Sequence, residues 1–202
     1  MIDLTAHLYD CGNLRHVDFL LECLSDKAWR NLCTIPTRTG IPSVFTDLHY
    51  AYTRKQSGNT IHLVVEQGND VWVTYACVCV QGSTAEVMGG AAPAFSNRGL
   101  GLACYACLLD KIFSVKPNIQ TIVSKTAERH RTIQRINDAC GFRMVGSVPD
   151  GFYDQETGKR ESLLRYELSR GQHPTDFVTR LCTRFNVRID CDALTQLKEI
   201  NG

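Results

Sequence analysis

The sequence has almost no excess of charge. Its 22 Lys and Arg and its 21 Asp and Glu leave a formal net charge of +1, whereas a basic face for nucleic acid or for an acidic membrane needs more positive charge than this. No apolar run reaches the length of a membrane span, and Met1–Asp3 lacks the basic, apolar and small-residue order of a signal peptide. We therefore expect a cytoplasmic protein that binds neither nucleic acid nor membrane.

Internal repeats and low-complexity segments are also missing. The 202 residues, 44% hydrophobic and 21% charged, are enough for a sizeable core and have the composition of a globular protein. We predict one domain over residues 1–170 and an extension over residues 171–202. Within the extension, residues 175–185 and 193–200 have the pattern of short amphipathic helices, separated by residues 187–190.

Cysteine, by contrast, is abundant, at ten residues. Cys104 and Cys107 have the C-x-x-C spacing of a metal or redox pair, but they lie in an apolar helical pattern, and no second Cys/His pair follows at zinc-finger spacing. Cys77 and Cys79 alternate on a predicted strand and so share one face. We interpret most cysteines as reduced, buried small hydrophobic residues and predict no metal site, with a metal or redox protein as a third hypothesis for function.

The most informative stretch is a glycine-rich turn between a predicted strand and a predicted helix. The strand holds Glu86, and the turn runs from Pro93 to Gly101. The free N–H groups and the positive dipole end of such a helix suit a pyrophosphate, and Gly99 lets a ligand approach the backbone. The turn lacks the Gly-Lys-Ser/Thr ending of a P-loop, and Cys104 replaces the third glycine of the dinucleotide fingerprint. The alternative to a ligand site is an ordinary strand–turn–helix connection that binds no ligand.

This turn resembles the acetyl-CoA signature of the GNAT superfamily of acyl-CoA-dependent N-acyltransferases. That signature has Arg or Gln, two residues, Gly, one residue, and then Gly or Ala, a few residues after a Pro that ends the fourth strand. Pro93, Arg98, Gly99 and Gly101 have the matching spacings. Ser96 departs from the signature, because it stands where the first Arg or Gln is usual.

A second segment extends the resemblance, which covers residues 60–168. A strand-like run and a polar helix precede Gly141 and Phe142, which match the Gly-Phe pair of the family. His130 stands where an Asn commonly leads the helix. Asn137 stands where many members carry a Tyr that protonates the departing thiolate.

The resemblance implies the GNAT fold, an α/β (α+β) protein whose central, mostly antiparallel mixed sheet is flanked by helices on both faces. Here a short C-terminal helical extension is added. The order predicted from the residues, β-α-α-β-β-β-α-β-α-β-β, agrees with that fold. In the family, the first two helices, predicted at residues 17–32 and 45–54, border the acceptor groove. We also expect residues 89–92 to form a β-bulge that exposes backbone groups to a pantetheine chain.

The resemblance further implies an N-acetyltransferase that moves an acetyl group from acetyl-CoA, its cosubstrate, to an amine acceptor. The acceptor, a small molecule or a protein, is unknown, and a homodimer is an open alternative to a monomer. The implied cofactor-binding residues follow the turn and the start of the next helix: Ala91, Ala92, Asn97, Arg98, Gly99, Leu100, Gly101, Leu102 and His130.

The catalytic residues are also inferred from the family's chemistry. We predict Glu86 as the general base, because a carboxylate on the fourth strand takes the proton of the amine, directly or through water, in many members. Glu66 is the reserve candidate. Tyr153 or a water molecule is predicted as the acid, since Asn137 cannot give up a proton.

The reaction also needs a donor for the oxyanion of its tetrahedral intermediate. A backbone N–H near Ala91 or Ala92 is expected to stabilise this oxyanion. The second hypothesis for function is a non-catalytic acyl-CoA-binding or protein-interaction module on the same fold, motivated by Ser96, by Asn137 and by the appended residues 171–202.

Overall fold

The computed structural model of the chain describes residues 1–10, 12–25, 60–69, 71–96, 98–154, 157–190 and 192. Their elements, in order, are β1 (Ile2–Leu8), α1 (Leu14–Ser25), β2 (Thr60–Glu66), β3 (Trp72–Gln81), β4 (Thr84–Ala91), α2 (Leu100–Val115), β5 (Thr121–Ala127), α3 (Arg131–Ala139), β6 (Arg143–Tyr153), β7 (Arg160–Ser169), α4 (Thr175–Phe185) and β8 (Val187–Asp190). Two short 3-10 helices cover Pro93–Phe95 and Arg170–Gln172. The predicted helices at residues 45–54 and 193–200, and residues 26–32 of the first predicted helix, lie outside the described residues.

The strands form one eight-stranded sheet with the order β6-β7-β5-β4-β3-β2-β1-β8. Neighbouring strands are antiparallel except β4–β5 and β1–β8, which are parallel. The chain crosses from β4 to β5 through α2, because parallel neighbours need a long crossover connection. The connection between β2, which ends at Glu66, and β3, which begins at Trp72, contains Gly68 and Asn69, and both have positive φ, 78° and 51°, a conformation that favours these residue types. This mixed sheet confirms the predicted fold class.

The sheet divides the core into two layers. Val78 of β3 packs with Leu109 and Ile112 of α2 on one face, and the preceding residue, Cys77, packs with Phe19 of α1 on the other. This alternation follows from the two-residue period of a strand. Helices therefore cover both faces, as predicted.

The C-terminal residues add a helix and a strand to this core. Residues 175–185 form the predicted helix α4, which ends at Asn186 in the left-handed conformation. Residues 187–190 do not merely separate two helices, as predicted, but form β8, which pairs in parallel with β1 from Ile2↔Val187 to Thr5↔Asp190. The reason is their own alternation, which buries Val187 and exposes Arg188. The division into units at residues 170 and 171 stays a prediction.

None of the described helices is both long and apolar enough to cross a membrane.

Candidate functional site

The two parallel strands in the middle of the sheet diverge. β4 and β5 pair only from Thr84↔Thr121 to Glu86↔Val123, although both strands continue beyond these pairs. β4 stays paired with β3 as far as Ala91, and β5 stays paired with β7 as far as Ala127. The two strands are therefore held apart by their outer neighbours, and a gap opens between them.

The predicted β-bulge at residues 89–92 is wrong. The β3–β4 register runs without a shift through Ala76↔Gly89 and Tyr75↔Gly90. Glycine is needed here for a different reason, because a Cβ on Gly89 would collide with the carbonyl oxygen of Tyr75. Thr74 donates its hydroxyl to the carbonyl of Gly90 at 2.6 Å, which fixes the segment further. The backbone beside the gap is exposed by the divergence from β5, and not by an extra residue.

A cleft of about 380 Å³ follows this gap between α2 and α3. Its volume is in the range of small-molecule sites. The residues that line it come from strands β1 to β5 and β8, the turn, α2 and α3, and they include Met88, Gly89, Gly90, Ala91, Gly99, Gly101, Leu102, Tyr105, Ser124, Lys125, Thr126, Thr132, Ile136 and Asn137.

The N-terminus of α2 lies at one end of the cleft. Gly99 precedes the helix with a φ of 77°, in the left-handed region, which is why a glycine stands here. The first intrahelical hydrogen bond runs from the N–H of Ala103 to the carbonyl of Gly99, at 3.0 Å, so the N–H groups before Ala103 have no intrahelical acceptor. Leu100 is buried in the core and anchors this turn. The end of α2 is thus suited to an anionic ligand.

The predicted cofactor residues divide into two sets. Ala91, Gly99, Gly101 and Leu102 line the cleft, and Leu100 supports it from the core. The remaining described ones are Ala92, Arg98 and His130, none of which lines it. Asn97 lies outside the described residues.

Ala92 and Arg98 have other contacts. Ala92 is buried, and its N–H donates to the carbonyl of Val73 at 2.7 Å, so this donor is already used within the protein. Arg98 is exposed, with its guanidinium carbon 5.6 Å from the centre of the Phe95 ring. The expected oxyanion donor at Ala92 is therefore not supported by the geometry.

His130 belongs to a polar network at the base of the β6–β7 hairpin. Its ring lies 6.1 Å from that of Phe152, edge to face, and Arg129 next to it binds the carboxylates of Asp154 and Glu161. Burial, and then the charge of Arg129, lower the pKa of His130. The neutral imidazole serves the packing of this network, away from the cleft.

Glu86 forms an ion pair across the gap. Its Oε2 lies 2.8 Å from Nζ of Lys125, and each side chain is 31% exposed. Lys125 lines the cleft, and Glu86 stands behind it on the sheet face that α1 covers. Glu66, the reserve candidate, lies 3.1 Å from His7 on the neighbouring strands and does not line the cleft.

Tyr153 lies away from the cleft. It stands at the end of β6, 53% exposed, with the guanidinium carbon of Arg160 at 5.7 Å from its ring centre. The geometry does not support its assignment as the catalytic acid. Tyr153 is the last residue of β6 and pairs with Arg160 of β7, a position that depends on the pairing of these strands.

A different tyrosine reaches the cleft, from α2. The hydroxyl of Tyr105 lies 3.5 Å from Oδ1 of Asn137 on α3. The Tyr105 ring stacks on Phe142, with the centres 6.2 Å apart. Burial raises the pKa of Tyr105, and the hydrogen bond with Ser124 lowers it by a smaller amount, so the net direction is upward. The phenol is therefore neutral and can donate a hydrogen bond.

Asn137 is fully buried, and its Nδ2 has no hydrogen-bond partner among the described residues. A buried donor without a partner costs stability, and this one belongs to a side chain that lines the cleft. Tyr105 does not stand out in the sequence because it fits the apolar period of α2. Its spacing from Leu102, i to i+3, places both residues on one face of the helix and was the available signal.

No group of three or more His, Cys, Asp or Glu side chains in the described part of the chain is placed to hold a metal ion. The two cysteines of the C-x-x-C sequence face different ways. Cys104 is buried against residues of β1 and β8, whereas Sγ of Cys107 lies 3.6 Å from Sγ of Cys182 on α4.

Comparison with known proteins shows a structural likeness without a sequence match. No family model matches the chain, and no curated protein matches it in sequence. Among solved structures, the spermidine N-acetyltransferase from Vibrio cholerae in complex with CoA and spermine is similar, with a TM-score of 0.69 and 16% identity over 84% of this chain and 96% of that chain. A chimera of this enzyme, SpeG, and hSSAT also has a TM-score of 0.69, with 18% identity over 88% of this chain and 99% of that chain. These likenesses establish the fold and confirm the GNAT fold predicted from the sequence.

Proposed function

We propose that the protein is an acetyl-CoA-dependent N-acetyltransferase that acts on an amine. The observation that carries this proposal is the cleft itself, in which the gap between β4 and β5 leads to the free N-terminus of α2. A long ligand with an anionic end fits this arrangement, because the helix end receives the charge and the gap exposes strand backbone along the rest. The CoA bound to a solved structure of the same fold supports the choice of ligand.

Different backbone groups of the protein are assigned to different parts of acetyl-CoA. We assign the pyrophosphate to the N–H groups that open α2, at residues 99–102, and the pantetheine to the backbone of Gly89 on β4, since the carbonyl of Gly90 accepts the hydroxyl of Thr74. The cosubstrate supplies an activated acyl thioester. The Leu102 side chain and the apolar residues of α3, Ile133 and Ile136, exclude water from this part of the cleft.

Glu86 remains our candidate for the general base. It stands on the strand that borders the gap, on the sheet face opposite α2, and it is held there by Lys125 at 2.8 Å. An amine that approaches from this face would meet the thioester through the gap and Glu86 beside it. The carboxylate takes the amine proton directly or through one water molecule.

Tyr105 replaces Tyr153 as our candidate for the acid. It lines the cleft next to Asn137, and the raised pKa keeps its proton on the phenol. The proton of Tyr105 would pass to the departing thiolate, and the Nδ2 of Asn137 would donate a hydrogen bond in the same place. Asn137 is then a hydrogen-bond donor and not itself an acid.

We propose a polyamine as the first acceptor to test. The support is the spermine bound to a structure of the same fold, together with the carboxylate of Glu86 on the strand that borders the gap. Smaller amines and peptide amines belong in the same panel. A homodimer stays a prediction.

The proposal is tested first by binding. Calorimetric titration of acetyl-CoA is compared among the parent, Ser96→Glu and Ser114→Glu. Ser96 is exposed and lines the cleft beside the turn, so a carboxylate there should repel the phosphates. Ser114 is exposed near the other end of the same helix and serves as the matched control.

We expect the parent and Ser114→Glu to bind alike and Ser96→Glu to bind at least about tenfold more weakly. No binding by the parent overturns the proposal. Binding without release of free thiol in the presence of any amine of the panel favours instead the second candidate, a non-catalytic acyl-CoA-binding module, for which the amide at Asn137 is the specific observation.

A further inference from the structure

Two thiols from distant parts of the chain meet on the surface of α2. Sγ of Cys107, in the middle of α2, lies 3.6 Å from Sγ of Cys182, in α4. Both side chains are partly exposed, so a small thiol reagent can reach them. A disulfide requires the sulfur atoms at about 2.0 Å, which leaves a closure of about 1.6 Å from the present 3.6 Å.

The two helices that carry these thiols are packed against each other. Leu181, Phe177 and Val178 of α4 contact the core cluster that α2 forms with the sheet. Lys111 of α2 also lies 3.1 Å from the carboxylate of Asp192, beyond β8. The cysteines are therefore held side by side by the packing around them.

Other described cysteines lack this arrangement. Cys23, Cys77, Cys104 and Cys140 are buried, and burial raises the pKa of Cys140 to about 12, so its thiolate is scarce at neutral pH. Cys79 is as accessible as the pair. It alternates with Val78 on β3, however, and so lies on the sheet face opposite α2. An oxidant should therefore distinguish Cys107 and Cys182 from the other described thiols.

We propose that Cys107 and Cys182 are a dithiol–disulfide site whose oxidised state fastens the α4–β8 segment (residues 175–190) covalently to α2. The thiolate of one cysteine attacks glutathione disulfide and releases one glutathione thiolate. The second cysteine then attacks the resulting mixed disulfide, forms the Cys107–Cys182 bond and releases the second glutathione. The protein loses two protons and two electrons, and glutathione disulfide is reduced to two glutathione molecules.

The fastened segment supports the turn at the start of α2. The ring of Phe185, three residues after Cys182, occupies the place where a side chain on Gly99 would begin. From there the chain turns at Asn186 into β8, and Ile189 lines the cleft. The disulfide would hold this support in place, and it requires nothing of the proposed acetyl transfer.

The experiment uses the full chain in four forms: the parent, Cys107→Ser, Cys182→Ser and Cys79→Ser. Each is reduced, freed of reductant, incubated with glutathione disulfide and alkylated. Non-reducing peptide mapping then locates every disulfide, including any at Cys11, Cys33 and Cys191. Thermal unfolding is measured before oxidation, after it, and again after dithiothreitol.

We expect one linked peptide, Cys107 to Cys182, in the parent and in Cys79→Ser, and none in the other two variants. The bond closes a long loop and restricts the unfolded chain, so the midpoint of unfolding should rise by about 5–10 °C and return after reduction. The proposal fails if both thiols are recovered alkylated, if both end as glutathione adducts, or if the rise persists in Cys182→Ser.

Discussion

The hydroxyl of Tyr105 and the amide of Asn137 lie 3.5 Å apart inside the cleft, although 32 residues separate them in the chain. One group is a neutral phenol that burial keeps protonated, and the other is a buried amide with an unpartnered Nδ2. Together they place two hydrogen-bond donors where a leaving group of the proposed reaction would depart. Helix α2 therefore supplies both the free N–H groups at one end of the cleft and, one and a half turns later, a phenol.

Tyr105→Phe removes the donor and keeps the ring against Phe142. We expect the rate of amine acetylation to fall by about 10²-fold, the lower end of what a positioned acid contributes, with acetyl-CoA affinity changed less than about twofold. Steady-state kinetics and calorimetry measure the two quantities. Tyr153→Phe is the matched control and should keep the parental rate; an equal loss in both variants would contradict the assignment.

The pH profile of the parent gives a second test of the phenol. Tyr105 has to be protonated to act as an acid, and burial raises its pKa above the ordinary 10.0. The turnover number should therefore show no alkaline decrease due to this group up to pH 10. A decrease between pH 8 and 10 that is absent from Tyr105→Phe would contradict the raised pKa of Tyr105, and an identical pH profile with an unchanged rate in Tyr105→Phe would contradict its assignment as the acid.

Glu86→Gln tests the general base. The substitution keeps the size of the side chain and removes the charge that pairs with Lys125 at 2.8 Å. At neutral pH we expect turnover to fall by about 10²-fold, with acetyl-CoA binding retained and with a smaller loss at high pH, where the amine is already neutral. Glu66→Gln, at the reserve position, should stay near the parental rate, and the reverse ranking would exchange the two roles.

Gly99→Ala tests the backbone conformation of the turn that we propose for the phosphates. The positive φ of 77° and the ring of Phe185 both oppose a side chain at this position. We expect a loss of about 1–3 kcal/mol in the free energy of unfolding, measured by chemical denaturation. Gly146→Ala is the control, because nothing lies within 4 Å of the added carbon there.

The double variant Gly99→Ala with Phe185→Ala separates strain from collision. Removal of the ring leaves only the backbone strain at Gly99. The loss of unfolding free energy in the double variant should therefore be smaller than the sum of the losses in the two single variants. Additive losses would show that the Phe185 ring is not what opposes a side chain at Gly99.

Protonation of His16 at acidic pH should destabilise the folded protein. This residue is 5% exposed, its Nδ1 accepts the N–H of Asp10 at 2.9 Å, and burial, followed by the nearby His7, lowers its pKa below 6.5. Because the folded state disfavours the proton, this contribution to stability is complete above the unfolded pKa of 6.5 and is lost as the pH falls below that value.

His16→Asn keeps an acceptor near Asp10 and removes the titration. Thermal unfolding between pH 7.5 and 5.5 should show a shallower loss of stability in this variant than in the parent. Part of the loss should remain, since burial also lowers the pKa values of His130 and His173. Identical slopes would rule out His16 as a source of the acid sensitivity.

Local features of the sequence predicted most of the described elements. The amphipathic period at residues 175–185 matches α4 as it stands in the structure. This signal resides in neighbouring residues and needs no knowledge of the fold. The strand character of residues 187–190 was overlooked, because four residues carry too little periodicity to be told from a linker.

The distinction between local and non-local signals also applies to the site residues. Gly99 and Gly101 were identified because the backbone conformation of a turn restricts the residues that can occupy it. Glu86 and Tyr153 were chosen by chemical type and position along the chain. Their surroundings are an ion pair with Lys125 for one and solvent with Arg160 for the other, and these depend on how the strands that carry them pair in the sheet.

Local residue properties are enough to predict the strand, glycine turn and helix that form one end of the cleft, since a residue with positive φ and an apolar helical period need no distant contact. Which side chains meet in the cleft depends on the tertiary fold. The contacts of Tyr105 with Asn137, of Glu86 with Lys125 and of Cys107 with Cys182 each join different elements. Such pairs depend on how helices pack on the sheet and how far β4 and β5 diverge, and these are set by the whole core and not by either residue of a pair.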